Sequence, residues 1–520
     1  MKIQLFDSTL RDGAQGEGIS FSVQDKLHIA QALDRFGVDY IEAGNPGSNP
    51  KDLEFFRRAE ELSLAKAKLC AFGSTRRNHL KPEEDENVKS LLAANTPCVA
   101  IFGKAWILHV TDILRITPEE NLAMVEDTVA YLKAGGKEVI FDAEHFFDGC
   151  KENEEYAFSV LAAAVKGGAD VLCLCDTCGG SLPEWISRCT KLVYQRFPTV
   201  RVGIHCHDDI GCAVACSMAA AGAGAIQMQG TFVGFGERCG NTDLSVLLPN
   251  LVLKCGFETD CELKNLSATA AKISEIANVR LRSNKPYVGK SAFAHKGGMH
   301  IDGVMKLPRS FEHIDPETVG NQRKFLTSEV SGRGTLLPKL QQLDPSLTKQ
   351  SPETGRIMAA LKEQERKGYQ YEAAEAGLEL FLKKELGVWR KHFDVVFFKT
   401  TDDFPASDGS MQASAILQLR VGEKEEVAGA VGNGPVNALD IALRKALGVF
   451  YPAVREMHLT DFKVRVIDQS STTAAKVRVL IESTNGEESW TTVGVSNDII
   501  EASFHALVDS FEYQLSKKER

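Results

Sequence analysis

A chain of 520 residues is too long for a single hydrophobic core and should divide into two or three domains. A hydrophobic fraction of 43%, a charged fraction of 25% and a net charge of −10 describe an acidic globular protein and disfavour nucleic-acid binding. No apolar run reaches the ~18 residues a membrane span needs, so no membrane partner is expected.

The opening run Met1–Asp7 enters a strand-like pattern at once rather than a leader peptide, which points to a cytoplasmic location. The 13 cysteines agree with this. All lie at or before Cys261, their number is odd, and most sit in apolar surroundings, as expected of reduced, buried thiols. Cys173, Cys175 and Cys178 have metal-like spacing, but no second pair stands at zinc-finger distance, so they read as small apolar residues on a buried strand.

Eight short apolar runs follow one another: Ile3–Phe6, Tyr40–Glu42, Ala67–Ala71, Cys98–Ile101, Glu138–Phe141, Val171–Leu174, Val200–Ile204 and Ala225–Gln227. Most are followed by a helical pattern. In the first, Ser22 and Asp25 stand at capping-box spacing, and Val23, Leu27, Ala30 and Leu33 share one face. Strand and helix alternating in this way imply an α/β protein with a (β/α)8 TIM barrel over residues 1–260. A doubly wound open sheet is the alternative, but no glycine-rich dinucleotide fingerprint follows the first strand.

Barrel chemistry sits at the C-terminal strand ends. Those ends carry Asp7 to Gly13, Glu42 to Gly47, Asp142 to His145, Asp176-Thr177, and the pair His205 and His207. Alternate residues of a strand share a face, so the two imidazoles point the same way and form half of a metal site. Two polar loop histidines are the plainer reading. Carboxylates at several neighbouring strand mouths favour the metal. Arg11 could equally be an ion-pair partner of Asp7 or Asp12, and Asn241 could cap the helix expected at Leu244–Leu253.

Leu10 to Gln15, His205-Cys206-His207 and Gly236 to Asn241 resemble the three signatures of the metal-dependent Claisen-condensing barrel enzymes. These are the 2-isopropylmalate, homocitrate and citramalate synthases. Glu17 to Ser22, Gly44 to Asp52, Ala71 to Arg77, Phe141 to Gly149 and Gly432 to Leu439 resemble the citramalate synthase branch. The resemblance implies a transferase that joins acetyl-CoA to a 2-oxo acid, pyruvate in that branch, to give citramalate and CoA on the way to isoleucine. It implies a divalent cation (Mn, Mg or Zn) held by Asp12, His205, His207 and Asn241. Arg11 would stabilise the growing alkoxide and bind substrate, Thr177 would bind the substrate carboxylate, and Glu144 would position or tune the base. 2-Isopropylmalate synthase, a carbon–carbon lyase of the same superfamily and a non-catalytic regulatory relative are the alternatives.

Residues 261–387 lose the strand alternation and read as mainly helical linker subdomains, with helical spacing over Lys264–Arg282 and Gly355–Leu386. Phe293 to Gly303 resembles the family's linker histidine motif. The resemblance makes His300 a general base, or its neighbour, supplied across a homodimer; the plainer reading of His300 is a Gly-flanked turn residue, and His295 reads as the same. Residues 388–520 write a strand–strand–strand–helix pattern twice: Val395–Lys399, Ala413–Arg420 and Val427–Val431 before Val436–Leu447, then Lys463–Ile467, Ala475–Glu482 and Trp490–Val495 before Ile499–Leu515. This α+β pseudo-repeat resembles the family's regulatory dimerisation domain, whose effector would be isoleucine. Four positions depart from the family: Asp208 for Asn, Val233 for Asn, Cys178 for Asn and Phe311 for Tyr. Asp208 would set an extra carboxylate beside the cation.

Overall fold

The computed structural model describes residues 1–60, 62–326, 333–403, 412–467, 475–486 and 488–517. They form two compact units: Met1–Phe293 with Ile314–Arg323, and Ala294–His313 with Lys324–Arg520.

The first unit is a closed barrel of eight parallel strands in chain order. These are β1 (Gln4–Asp7), β2 (Tyr40–Gly44), β3 (Lys68–Ser74), β4 (Cys98–Lys104), β5 (Glu138–Glu144), β6 (Val171–Asp176), β7 (Arg201–Cys206) and β8 (Gln227–Gly230). β1 closes the ring on β8 with Asp7 opposite Gly230. Every strand but β1 reaches at least two residues further toward its C-terminus than its apolar run. Several of the added residues, among them Ser74, Lys104, Asp142, Glu144, Asp176 and His205, are polar and stand toward the barrel mouth, where an apolar count stops too soon.

The first helix, Val23–Phe36, forms as its sequence dictates. Ser22 and Asp25 close a reciprocal capping box, and Gly37 ends the helix at φ +99°. A Cβ at Gly37 would stand 2.8 Å from the Asp260 carbonyl. Leu27, Ile29, Leu33 and Phe36 bury against the sheet, each contributing about 1.5–3 kcal/mol. Inside the barrel a second apolar layer holds Phe6, Tyr40, Cys70, Cys98, Ile140, Val171, Cys173 and Cys175. Cys173 and Cys175 are thus the small apolar strand residues expected. All 13 cysteines are free thiols.

In the second unit, the helical stretch expected over Gly355–Leu386 is two helices, Pro352–Lys367 and Glu375–Leu386. The break is Gly368, left-handed at φ +111°. In the first unit, the stretch expected over Lys264–Arg282 is a helix only over Leu266–Ile276, and Asn278 beyond it is left-handed. The end of the chain carries two three-stranded antiparallel sheets. Asp394–Asp403, Gln412–Val421 and Lys424–Gly432 are followed by the helix Pro435–Phe450. His458–Val466, Val477–Thr484 and Ser489–Ser496 are followed by Ile499–Lys517. The repeat is therefore real at the level of topology. The stripe Phe504, Leu507, Phe511 and Leu515 of the last helix is buried core. No helix among the described residues is long and apolar enough to cross a membrane.

Candidate metal centre

At the end of β7, alternation sends His205 and His207 to one side while Cys206 packs into the apolar layer outside the barrel. The two Nε2 atoms stand 3.4 Å apart. Asp12, just past β1, brings Oδ2 to 3.5 Å from His205 Nε2 and 4.0 Å from His207 Nε2. All three residues are buried.

Asn241 is delivered by the loop after β8. Its backbone bridges His207, and its Nδ2 donates to Asp12 Oδ1 at 3.1 Å. Two glycines make that approach possible. A Cβ at Gly236 (φ +149°) would stand 2.2 Å from Asn241 Nδ2, and one at Gly240 (φ +92°) would stand 2.0 Å from the Gly234 carbonyl. The helix-cap reading of Asn241 fails: Asp243 caps Leu244–Leu253 by accepting from the Ser245 N–H.

The donor set fits a divalent cation. Burial disfavours charge on Asp12, but Arg11 and His205 outweigh it and hold the carboxyl well below its usual range. Burial, then His205, lowers His207 to about 4, so its imidazole is neutral and free to ligate. Asn241 Oδ1 is buried with no hydrogen-bond partner, an oxygen left over as a ligand oxygen would be.

Arg11 lies beside this cluster. Its Nη1 donates to Asp12 at 3.0 Å and its Nε to Glu42 at 2.7 Å, while its guanidinium covers the Phe72 ring at 3.8 Å. Arg11 is therefore an ion-pair partner of Asp12 but not of Asp7, which accepts from Thr9. Glu42 on β2 is wholly buried and also accepts from Ser8 Oγ. The sequence shows Glu42 at a strand mouth, but its pairing with Arg11 needs the β1–β2 register, Phe6 opposite Tyr40. Asp142 is a second acid the sequence reading left without a role. It accepts from Gln229, and burial, then Glu42, pushes it up to about 7.

Arg11, Asp12, Glu144, Thr177, His205 and His207 line one cleft of about 240 Å³, with Phe72, Phe102 and Asp142 among its walls. Glu144 pairs with Lys104. Thr177 Oγ1 accepts the His145 backbone N–H at 2.9 Å, which leaves the hydroxyl proton for an incoming anion. Asp208 Oδ1 accepts from the Ala213 N–H at 2.8 Å, at the start of the helix Ala213–Gly222, so its carboxylate is engaged there rather than in the cluster. His300 belongs to the second unit. It is exposed on the helix Gly298–Lys306 and stacks on Phe311 at 4.2 Å between ring centroids. In that unit His295 Nε2 donates to Glu312 Oε1 at 3.0 Å rather than standing free in a turn.

Three family models cover the chain: HMGL-like over residues 2–273, homocitrate synthase post-HMGL domain-like over 287–368, and LeuA allosteric (dimerisation) domain over 372–515. An (R)-citramalate synthase of Aquifex aeolicus is 51% identical across 100% of this chain and 98% of its own length. One from Geobacter sulfurreducens is 47% identical across 99% and 98%. A 2-isopropylmalate synthase of Aquifex aeolicus is 30% identical across 100% and 97%. With a whole-chain match at this level, and with Asp12, His205, His207, Arg11 and Thr177 on one cleft, the chain belongs to the (R)-citramalate synthase family, a branch of the 2-isopropylmalate and homocitrate synthase group.

Proposed function

We propose that this chain condenses acetyl-CoA with pyruvate and water to give citramalate and CoA, a first step toward isoleucine by way of 2-oxobutanoate. The observation that carries the choice of substrate is the gap between branches: 43–51% identity to (R)-citramalate synthases against 29–30% to 2-isopropylmalate synthases. The aromatic wall formed by Phe72 and Phe102, stacked at 5.5 Å, supports a small 2-oxo acid.

Asp12, His205, His207 and Asn241 would hold the cation, and a carboxylate, amide and imidazole set suits Mg, Mn or Zn. The bound cation would supply Lewis acidity at the 2-oxo group. Arg11 carries five N–H donors in a fixed fork. Nε is taken by Glu42 and one Nη1 donor by Asp12, so the remaining donors would stabilise the oxygen on which charge grows. The Thr177 hydroxyl donates to the substrate carboxylate. Glu144, anchored by Lys104, orients the base that takes a methyl proton from acetyl-CoA, and His300 of a second copy is that base or its neighbour. The working enzyme is a homodimer in the cytoplasm, with isoleucine binding the dimerisation domain through a coupling free energy of ~1–3 kcal/mol.

CoA release across a panel of 2-oxo acids tests this reading. Pyruvate should exceed 2-oxoisovalerate by about tenfold or more in kcat/KM, since two extra methyl groups must enter a ring-walled cleft. Release with 2-oxoisovalerate and none with pyruvate moves the chain to the 2-isopropylmalate branch.

A further inference from the structure

A second group of potential ligands stands at the rim of the barrel, apart from the Asp12 cluster. His145 follows β5, Asp148 lies one turn into the helix Phe146–Gly167, and Cys178 follows β6. Cys178 Sγ is 3.6 Å from His145 Nδ1, and Asp148 Oδ2 is 3.7 Å from the same nitrogen. A tetrahedral zinc ion with bonds of about 2.0 Å to N and O and 2.3 Å to S puts its ligand atoms about 3.3–3.6 Å apart. Two of the three separations therefore already stand close to ligand spacing, and all three atoms lie within 4.8 Å of one another.

Two further observations point to a missing ligand. Asp148 Oδ2 is buried, and its contact with His145 Nδ1, at 3.7 Å, is longer than a hydrogen bond. His109, whose ring centroid lies 4.1 Å from that of His145, also keeps a buried Nδ1 with no hydrogen-bond partner. The His145 backbone is left-handed at φ +58°, a strained state for a non-glycine residue. Lys151, 3.9 Å from Asp148 Oδ1, offsets only part of the negative charge.

We propose that His145, Asp148 and Cys178 form a second cation site, selective for a soft, zinc-like ion over Mg. The selectivity follows from the sulfur, which Mg does not accept as a ligand. Binding breaks the S–H bond of Cys178, releases the proton to solvent and forms a metal–sulfur bond. Thr177, joined to the His145 N–H and adjacent to Cys178, couples the rim site to the cleft. The site does not depend on which reaction the cleft performs.

The test is a cadmium titration of the full-length protein in excess Mg, followed by thiolate-to-cadmium absorption. The Asp12 cluster has no sulfur and is silent in this band. The expected result is a saturable rise at one equivalent that disappears in Cys178→Ser and shifts at least about tenfold in midpoint in Asp148→Asn. The rise should be retained in Cys239→Ser and Cys255→Ser, which remove the other exposed thiols. An unchanged rise in a folded Cys178→Ser variant, or no rise in the parent protein, overturns the proposal.

Discussion

Glu42→Gln is the substitution that most directly asks what holds Arg11 in place. Glu42 is 0% exposed, and its Oε2 sits 2.7 Å from Arg11 Nε. Glutamine keeps the volume and an oxygen that accepts the same N–H, so the change removes chiefly charge. Two unit charges about 4 Å apart at an effective dielectric of about 20 interact by about 4 kcal/mol. Part of that is recovered as Arg11 leans on Asp12, its other carboxylate partner at 3.0 Å, leaving a net loss of about 2–3 kcal/mol in the preorganised fork. At 1.36 kcal/mol per decade this predicts a fall of about 10²-fold in kcat/KM, with bound-metal stoichiometry unchanged. Steady-state CoA release and metal analysis on the same preparation read both quantities. The double variant with Arg11→Lys provides the internal control, because residues that act as a unit are not additive. If Glu42→Gln stays within about threefold of the parent, or if its effect adds in full to that of Arg11→Lys, Glu42 does not work through Arg11.

Two further outcomes are expected. If His300 serves the partner's cleft, an Arg11→Gln variant and a His300→Gln variant, each inactive, should regain about a quarter of the parent activity after mixing and subunit exchange, because half the dimers are mixed and each has one intact site; no recovery under conditions where exchange is shown would place His300 in its own chain's site or in neither. Glu138, at the N-terminal end of β5, accepts from Tyr40, Lys68 and Arg201; burial opposes its charge, but these partners outweigh burial and bring its pKa down to about 2. Its folded pKa lies below the unfolded value, so it stabilises the fold above about pH 4.5 and the contribution is lost as pH falls toward 2. Glu138→Gln should therefore cost about 1 kcal/mol at pH 7 after solvent screening and nothing near pH 2, measured by urea unfolding at both pH values; an equal cost at both would show that packing, not charge, is what Glu138 contributes.

The parts of the molecule that were legible in the sequence are those whose signal is local. The capping box at Ser22 and Asp25, the alternation that sends His205 and His207 to one side, and the doubled strand–strand–strand–helix pattern each rest on spacing within a few residues, and each appears in the structure. Strand ends were lost where apolar residues give way to the polar lining of the mouth, as in β5, which runs past Phe141 through Asp142 to Glu144. The helix break at Gly368 was hidden because the apolar spacing resumes in phase beyond it. Glu42 and Asp142 were visible as acids but not as partners. Glu42 meets Arg11 across 31 positions and Asp142 meets Gln229 across 87, and only barrel closure fixes those distances. Asn241 was the reverse case. A helix really does begin at Leu244, and the residue two further on, Asp243, takes the capping role and leaves the amide to the cluster.

The departures from the family pattern make sense by where they fall. None replaces Asp12, His205, His207 or Asn241, and of the four only Asp208 and Val233 sit on the segments that carry His207 and Asn241. Asp208 looked in sequence like an extra negative charge on the cation. Its carboxylate instead meets the first N–H of the helix Ala213–Gly222, where the helix dipole favours an anion by about 0.3–1 kcal/mol, so the charge is accommodated without entering the ligand set. Val233 is held at φ +63° where an asparagine would rest more easily, and the carbonyl it presents accepts from Lys285 Nζ at 3.0 Å. Lys285 also pairs with Asp243, the cap of the following helix, so the strain at Val233 is held by the same lysine that fixes the loop carrying Asn241. Cys178 exchanges an amide for a thiol at the one rim position that faces both an imidazole and a carboxylate among the described clusters of His, Cys, Asp and Glu outside the barrel interior. The candidate ligand set is thus kept while its surroundings vary, because removing one of its buried members would leave the others without a partner.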